Sequence, residues 1–321
     1  MIIYHYYCEL SIINQTFQKL EIIIVNDNSN DNSKNIAKFF QSKVKKIKII
    51  DHNNNLGVYL SRIEAIFNSR GEYIMLLDPD DMILNPHLFR KLYEYNSNNL
   101  DIIEFSVLHQ PEGKNNIIVP NRHSLTHFHN FKSNIINQPE LSNILFYIPN
   151  TKNYTSIICR TIWNKLIRKK VIIKTINYVK KQFNNQYLIT ADDISLNMIN
   201  FQFASNYSNI DLPGYLYNLR LNSMSRGNNG NKHEIITCLN YLQFYKLFYR
   251  YILDFKKDLN YLYFDLRIFY YYLLIFKKYN TVQYYHNISE FFNEIKKENI
   301  IAFSSKNGNT SIKFIASPGI I

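Results

Sequence analysis

The first hundred residues alternate between two hydrophobic periods. "LEIIIVND" (20–27), "KIKIIDH" (46–52) and "EYIMLLD" (72–78) are short apolar runs of strand length, each closing on polar residues. Between them, "YYCELSIINQTF" (6–17), "NDNSKNIAKFFQSK" (30–43) and "LGVYLSRIEAIFNSR" (56–70) carry the helical period. The second of these opens on polar capping residues, and the third places Val58, Ile63, Ile66 and Phe67 near one face. Continuous apolar strands alternating with helices predict an α/β fold with a parallel sheet covered on both faces. Ligands of such sheets gather at the carboxyl ends of the strands. Asp27 and the cluster Asp78, Asp80 and Asp81 fall at two such ends.

Beyond residue 100 the pattern is less regular. "LDIIEFSVLH" (100–109) reads as a strand, followed by a polar loop with His123, His127 and His129. A helix is expected after "TADDISLN" (190–197). From about 232 the chain is helical by period and dense in aromatics, as in "CLNYLQFYKLFYRYILDF" (238–255). The most apolar late stretch, "IFYYYLLIF" (268–276), is too short to span a bilayer. No internal repeat is visible.

Composition narrows the classes. With 46% hydrophobic and 19% charged residues in 321, the chain is globular and long enough for a sizeable core. Lys and Arg number 37 against 25 Asp and Glu, a net charge of +12 that favours anionic partners. The small basic clusters at 43–48 and 167–170 carry no nucleic-acid-binding signature, so nucleic acid is not the expected partner. Three distant cysteines argue for a reducing compartment and against a disulfide scaffold or structural zinc. With no signal-peptide pattern at "MIIYHYYCEL", a cytoplasmic location is expected. The basic, aromatic C-terminal helices allow a peripheral membrane contact. His127 and His129 have no carboxylate or Cys partner nearby and do not suggest a metal site.

The chemistry concentrates in "YIMLLDPDDMI" (73–83). Three carboxylates around Pro79 raise one another's pKa unless a cation sits among them. Magnesium or manganese accepts oxygen ligands, and magnesium uses one or two protein carboxylates together with substrate phosphates. The site therefore suits a metal–diphosphate complex, or else a polar turn before the helix "PHLFRKL" (86–92).

The order of segments resolves this. "SIINQTFQKLEIIIVNDNSNDNS" (11–33) and "NNNLGVYLSRIEAIFNSRGEYIMLLDPDD" (53–81) closely resemble the nucleotide-sugar half of family 2 glycosyltransferases. "IWNKLIRKKVI", "ADDISLNMINF" and "LYNLRLNSMS" continue the resemblance more weakly downstream. It implies a GT-A-type fold, with a catalytic domain over 1–225 (nucleotide-sugar half 1–100, acceptor half 101–225) and a helical extension over 226–321. It further implies transfer of a sugar from a nucleotide-diphosphate donor, expected to be UDP-linked, to the hydroxyl of a glycan, glycolipid or protein acceptor, with inversion. A divalent metal, Mn2+ or Mg2+, would accompany the donor. By position, Asp27 matches the carboxylate that meets the base, Asp80 the one near the ribose and Asp81 the metal ligand. Arg62 would face the nucleotide, although Ile63 replaces the family's Asn beside it. Asp193 matches the catalytic base, with Asp192 in place of the family's Glu. Trp163, Asn164 and Lys165 would line the acceptor side or support it, and Arg220 and Ser225 lie in the segment that closes toward the diphosphate.

One departure stands out. The family opens with a central strand, and the resemblance here starts inside the following helix, at about Cys8. The expectation is a sheet with unpaired edges at that place, and a second reading as a non-catalytic relative that binds nucleotide or a partner protein.

Overall fold

The computed structural model describes residues 2–113, 117, 135–139, 141, 161–182, 192–220, 247, 250, 251, 254, 255, 301–306 and 309–314. The chain forms two compact units, Met1–Asn228 and Asn229–Ile321. The first opens with α1 (Ile2–Ile13), β1 (Ile22–Asn26), α2 (Ser33–Lys43), β2 (Ile47–Asp51), α3 (Val58–Asn68), β3 (Tyr73–Ile74), β4 (Met82–Ile83) and α4 (Leu88–Tyr95). It continues with β5 (Ile102–Pro111), β6 (Ile135–Asn137), β7 (Lys165–Arg168), α5 (Lys169–Gln182), α6 (Asp192–Phe203) and β8 (Asn206–Leu219).

The expected α/β fold is present, with the strands in two groups. β1 and β2 form a parallel pair. Six strands form a second sheet in the order β3-β7-β5-β8-β4, with β6 added to β8. Its longest ladder, β5 with β8, is parallel, and the short strands β3, β4, β6 and β7 join antiparallel. Across both sheets most paired residues thus belong to parallel ladders. Among the described residues β1 is paired by β2 alone, and Met75–Leu77 has no strand partner. The third apolar run is therefore a strand only at Tyr73–Ile74. Extended chain needs a neighbour to take its N–H and C=O groups, and unpaired edges are what the start of the resemblance at about Cys8 leads one to expect.

Hydrophobic burial positions the helices. Ile36 and Phe40 on α2 pack with Ile22 of β1 and Ile47 of β2. Leu88 and Leu92, four apart on α4, are fully buried against Ile103, Phe105 and Tyr215 of the larger sheet. Each such leucine contributes about 1.5–3 kcal/mol. Ile12 of α1 touches both clusters, so α1 spans the two sheets. Gly214 lets β8 lie against α4, because a Cβ there would stand 2.6 Å from Leu88 Cδ1.

In the second unit the structure describes an antiparallel hairpin, β9 (Ile301–Lys306) and β10 (Asn309–Phe314), where helix was expected. The pair separating the strands, Asn307-Gly308, is a strong sequence signal for a two-residue hairpin. His123, His127, His129, Ser225 and the expected helix around 238–255, apart from isolated positions, lie outside the described residues.

Candidate active site

The turn that follows Leu77 is the centre of the site. The Asp81 N–H donates to the Asp78 carbonyl over 3.0 Å, which closes a four-residue turn around Pro79. The carboxylates then point to different partners. Arg62, on α3, donates through Nη2 to Asp78 Oδ1 over 2.8 Å and through Nη1 to Asp193 Oδ1. Arg220, just past β8, donates to Asp80 Oδ2. The cations that the sequence demanded are thus two guanidiniums, and one of them ties the strand-end turn to the first turn of α6.

Asp81 is different. It is 1% exposed and both of its oxygens are filled. Tyr215 Oη donates to Oδ2 over 2.7 Å and the Asn218 N–H to Oδ1 over 2.8 Å. Burial pushes its pKa up to about 8. The Asn218 and Tyr215 donors offset only part of this, and the charges of Asp80 and Asp78 add to it. Asp78 and Asp80 are partly exposed, and each engages an arginine through a single oxygen. Among the described residues no group of three or more His, Cys, Asp or Glu side chains is placed to hold a metal ion.

At the end of β1, Asp27 is closed on its own neighbourhood. Its Oδ1 accepts from Leu56 N–H and faces His52 Nδ1, each at 2.7 Å, and its Oδ2 accepts from Gly57 N–H at 2.7 Å. Partial burial works against the Asp27 carboxylate, but the Leu56 N–H, the His52 ring and the Gly57 N–H hold its pKa below the ordinary value. The other His52 nitrogen lies 2.6 Å from Glu64 Oε2. Burial disfavours the imidazolium, yet the two carboxylates win and raise the His52 pKa. Asp27 thus fixes the entry to α3, the helix that carries Arg62. Gly57 stands there at φ 89°, a conformation that favours glycine.

The expected acceptor-side residues take supporting places. Trp163 is buried and stacks on Tyr215 (centroids 4.4 Å apart, planes at 27°) and on Tyr217 (5.2 Å, 2°). Lys165 is fully buried with its Nζ 3.1 Å from Glu104 Oε2, and it also donates to the Thr161 carbonyl. Both pack into the sheet behind the turn, a supporting place, because a buried lysine needs a carboxylate and a buried indole packs as core. Asn164 joins the same network through Phe105 O and Glu104. The side chain of Asp192 lies outside the described residues. Asp193 is partly exposed at the start of α6, where the helix dipole favours a carboxylate.

Several site residues escaped the sequence reading. Tyr215 and Asn218 hold the turn from positions more than 130 residues downstream, and only their nearness to Arg220 in "GYLYNLR" hints at it. His52 and Glu64 offered no spacing signal. Cys8, whose Sγ–H lies 3.6 Å from the Asp78 carbonyl, is buried, and that burial pushes its thiol pKa up.

Comparison with known proteins gives the family and the fold. Residues 7–176 match the profile of "Glycosyl transferase family 2". The chain is 29% identical over 215 residues to a cholesterol galactosyltransferase of Borreliella burgdorferi, covering 66% of this chain and 56% of that protein. It is 24% identical over 218 residues to the uncharacterized glycosyltransferase EpsJ of Bacillus subtilis, covering 68% and 58%. A shorter match, 43% over 93 residues, links it to the uncharacterized glycosyltransferase MJ1057 of Methanocaldococcus jannaschii, covering 29% of this chain and 32% of that protein. The chain thus spans less than two thirds of each of these relatives. Among solved structures, S. aureus TarS 1-349 superposes with a TM-score of 0.52 at 15% identity, over 98% of this chain and 94% of that one. The same TarS segment in complex with UDP-GlcNAc gives a TM-score of 0.51 at 16% identity, with the same coverage. These likenesses show a common fold. Since the family profile covers more than half of its residues, the chain belongs to glycosyl transferase family 2.

Proposed function

We propose that the protein transfers a sugar from a nucleotide-diphosphate donor, UDP-linked, to an acceptor hydroxyl with inversion. The observation that carries this reading is the double ion pair of Arg62, which brings Asp78 from the nucleotide-sugar half and Asp193 from the acceptor half into one site. The UDP-GlcNAc complex of the structural neighbour and the sugar-transferring relative support the donor class.

In this reading Asp193 takes the proton of the acceptor hydroxyl as its oxygen attacks the anomeric carbon. The bond from that carbon to the diphosphate oxygen breaks, and the nucleotide diphosphate leaves with the electron pair. Arg220 and Arg62 turn from their carboxylates toward the phosphate oxygens, for which the planar guanidinium fork is suited. While Arg62 holds Asp193, that carboxylate is a weak base. A diphosphate competing for Arg62 restores its basicity when the donor is in place. Asp80, with Asp78, would hold a divalent metal carried in with the diphosphate, which stabilises the departing charge. Asp27 serves the base side through the loop it fixes at the entry to α3.

The test is release of UDP from a panel of UDP-sugars with manganese and hydroxyl acceptors. Turnover that falls in Asp80→Ala supports the reading, and full activity of that variant contradicts it. That β1 pairs with β2 alone among the described residues favours a second reading, nucleotide binding without turnover. Calorimetric UDP binding with no UDP release from any donor would support it.

A further inference from the structure

The geometry points to Tyr215 as a positioning residue for transfer, held by Trp163 and acting through the turn Asp78–Asp81; this rests on the glycosyl-transfer reading above. The ring is fully buried, and its hydroxyl uses both of its capacities on that turn. It donates to Asp81 Oδ2 over 2.7 Å and accepts the Asp78 N–H over 3.3 Å. Asn218, three residues further along β8, completes the hold. Its N–H donates to Asp81 Oδ1 over 2.8 Å and its Nδ2 to the Asp80 carbonyl over 2.6 Å. Tyr215 thus fastens Asp78, Asn218 fastens Asp80, and both β8 residues fasten Asp81. The carboxylates of Asp78 and Asp80 are left to face outward.

The tyrosine itself has little freedom. Its Cα pairs with Ile83 of β4 on one side and with Val107 of β5 on the other. Trp163 stacks on its ring and, nearly parallel, on Tyr217, so a three-ring stack fixes the hydroxyl beneath the turn. Asp81 belongs to the same device, since its enclosed carboxyl is the far anchor of the hydroxyl. Fold alone does not require this arrangement, because a phenylalanine at 215 would keep the stack and the strand pairing. It would lose only the bond to Asp81 and the acceptor for the Asp78 N–H. The hydroxyl therefore serves the placement of the turn, and a displacement of about 1 Å at a reacting group can cost on the order of a hundredfold in rate.

The test uses Tyr215→Phe, Asp80→Asn and the double variant in the full chain, with UDP release, UDP binding by calorimetry with manganese, and thermal melting measured on each. Tyr215→Phe is expected to lower kcat by about ten- to a hundredfold with donor KM changed less than about threefold. In the Asp80→Asn background the same change is expected to lower kcat no further, because the hydroxyl acts through the placement of Asp80. A folded Tyr215→Phe with unchanged kcat, or losses that multiply in the double variant, would overturn the proposal. If Tyr215→Phe does not fold, Trp163→Phe takes its place and is expected to lower kcat in the same pattern by a smaller factor; unchanged kcat there overturns the proposal equally. Failure of the unsubstituted chain to release UDP would count against the transfer reading. In that case the affinity for UDP decides the role of Tyr215: weakening of about tenfold in Tyr215→Phe supports it, and equal affinity rejects it.

Discussion

Two loops of this protein gather candidate site carboxylates, and they are built in opposite ways. At the end of β1, Asp27 closes on His52 and on the N–H groups of Leu56 and Gly57, all within about thirty residues of sequence. At the turn after Leu77, the carboxylates reach Arg62, Arg220, Tyr215 and Asn218, which come from separate parts of the chain. The first end stands on a two-stranded pair, and the second leans on a six-stranded sheet. A site closed on local partners sets a loop. One that gathers partners from both halves of the chain can change when any of them is drawn to a substrate. The proposed transfer is placed at the second for that reason.

Arg62 offers the strongest way to break this contrast. Arg62→Met removes the only cation shown on both Asp78 and Asp193, and UDP release is expected to fall on the order of a hundredfold or more. Arg62→Lys cannot span two carboxylates with a planar fork and should recover little of that loss. Activity close to that of the parent in Arg62→Met would mean that the turn is as self-contained as the Asp27 loop.

The buried carboxyl gives a pH signature next in size. Asp81 in the folded chain keeps its proton up to about pH 8, whereas the unfolded chain gives it up near the ordinary 3.8. The unfolded state therefore binds fewer protons between these limits, and stability falls as pH rises through them, by a few kcal/mol at most. Urea unfolding from pH 4 to 8 should show this slope in the parent and a flatter one in Asp81→Asn. Equal slopes would mean that Asp81 is no more enclosed than Asp27.

His52 gives the smallest effect and the opposite end of the comparison. Its pKa is raised in the folded chain, so its contribution is fully present below the ordinary 6.5 and is lost as pH rises through the higher folded value. Because Glu64 is well exposed, the contribution is about 1 kcal/mol or less. His52→Gln should remove this pH dependence while leaving kcat within about twofold, if the Asp27 loop is a support only.

Much of this was legible in the sequence, for physical reasons. Apolar runs and helical periods located β1, β2, α2 and α3 because burial dictates those periods directly. Strand-end geometry likewise pointed to Asp27 and the Asp78–Asp81 cluster. Which aspartate faces what was not legible, since that depends on Tyr215 and Asn218, brought in by β8 far along the chain. Lys165 shows the same limit. The sequence does not name its partner, and only the pairing of β7 with β5 sets it beside Glu104, where it is buried. β3 is shorter than its apolar run because Met75–Leu77 has no neighbouring strand among the described residues, something no local pattern can express.

The central claim is that Asp193, tied to the acidic turn by Arg62, is the base of a glycosyl transfer. It is tested most directly by the rate of UDP release in Asp193→Asn relative to the parent, with donor and acceptor saturating. The account predicts a fall of at least about a hundredfold with UDP binding unchanged. A rate within about twofold of the parent would contradict it.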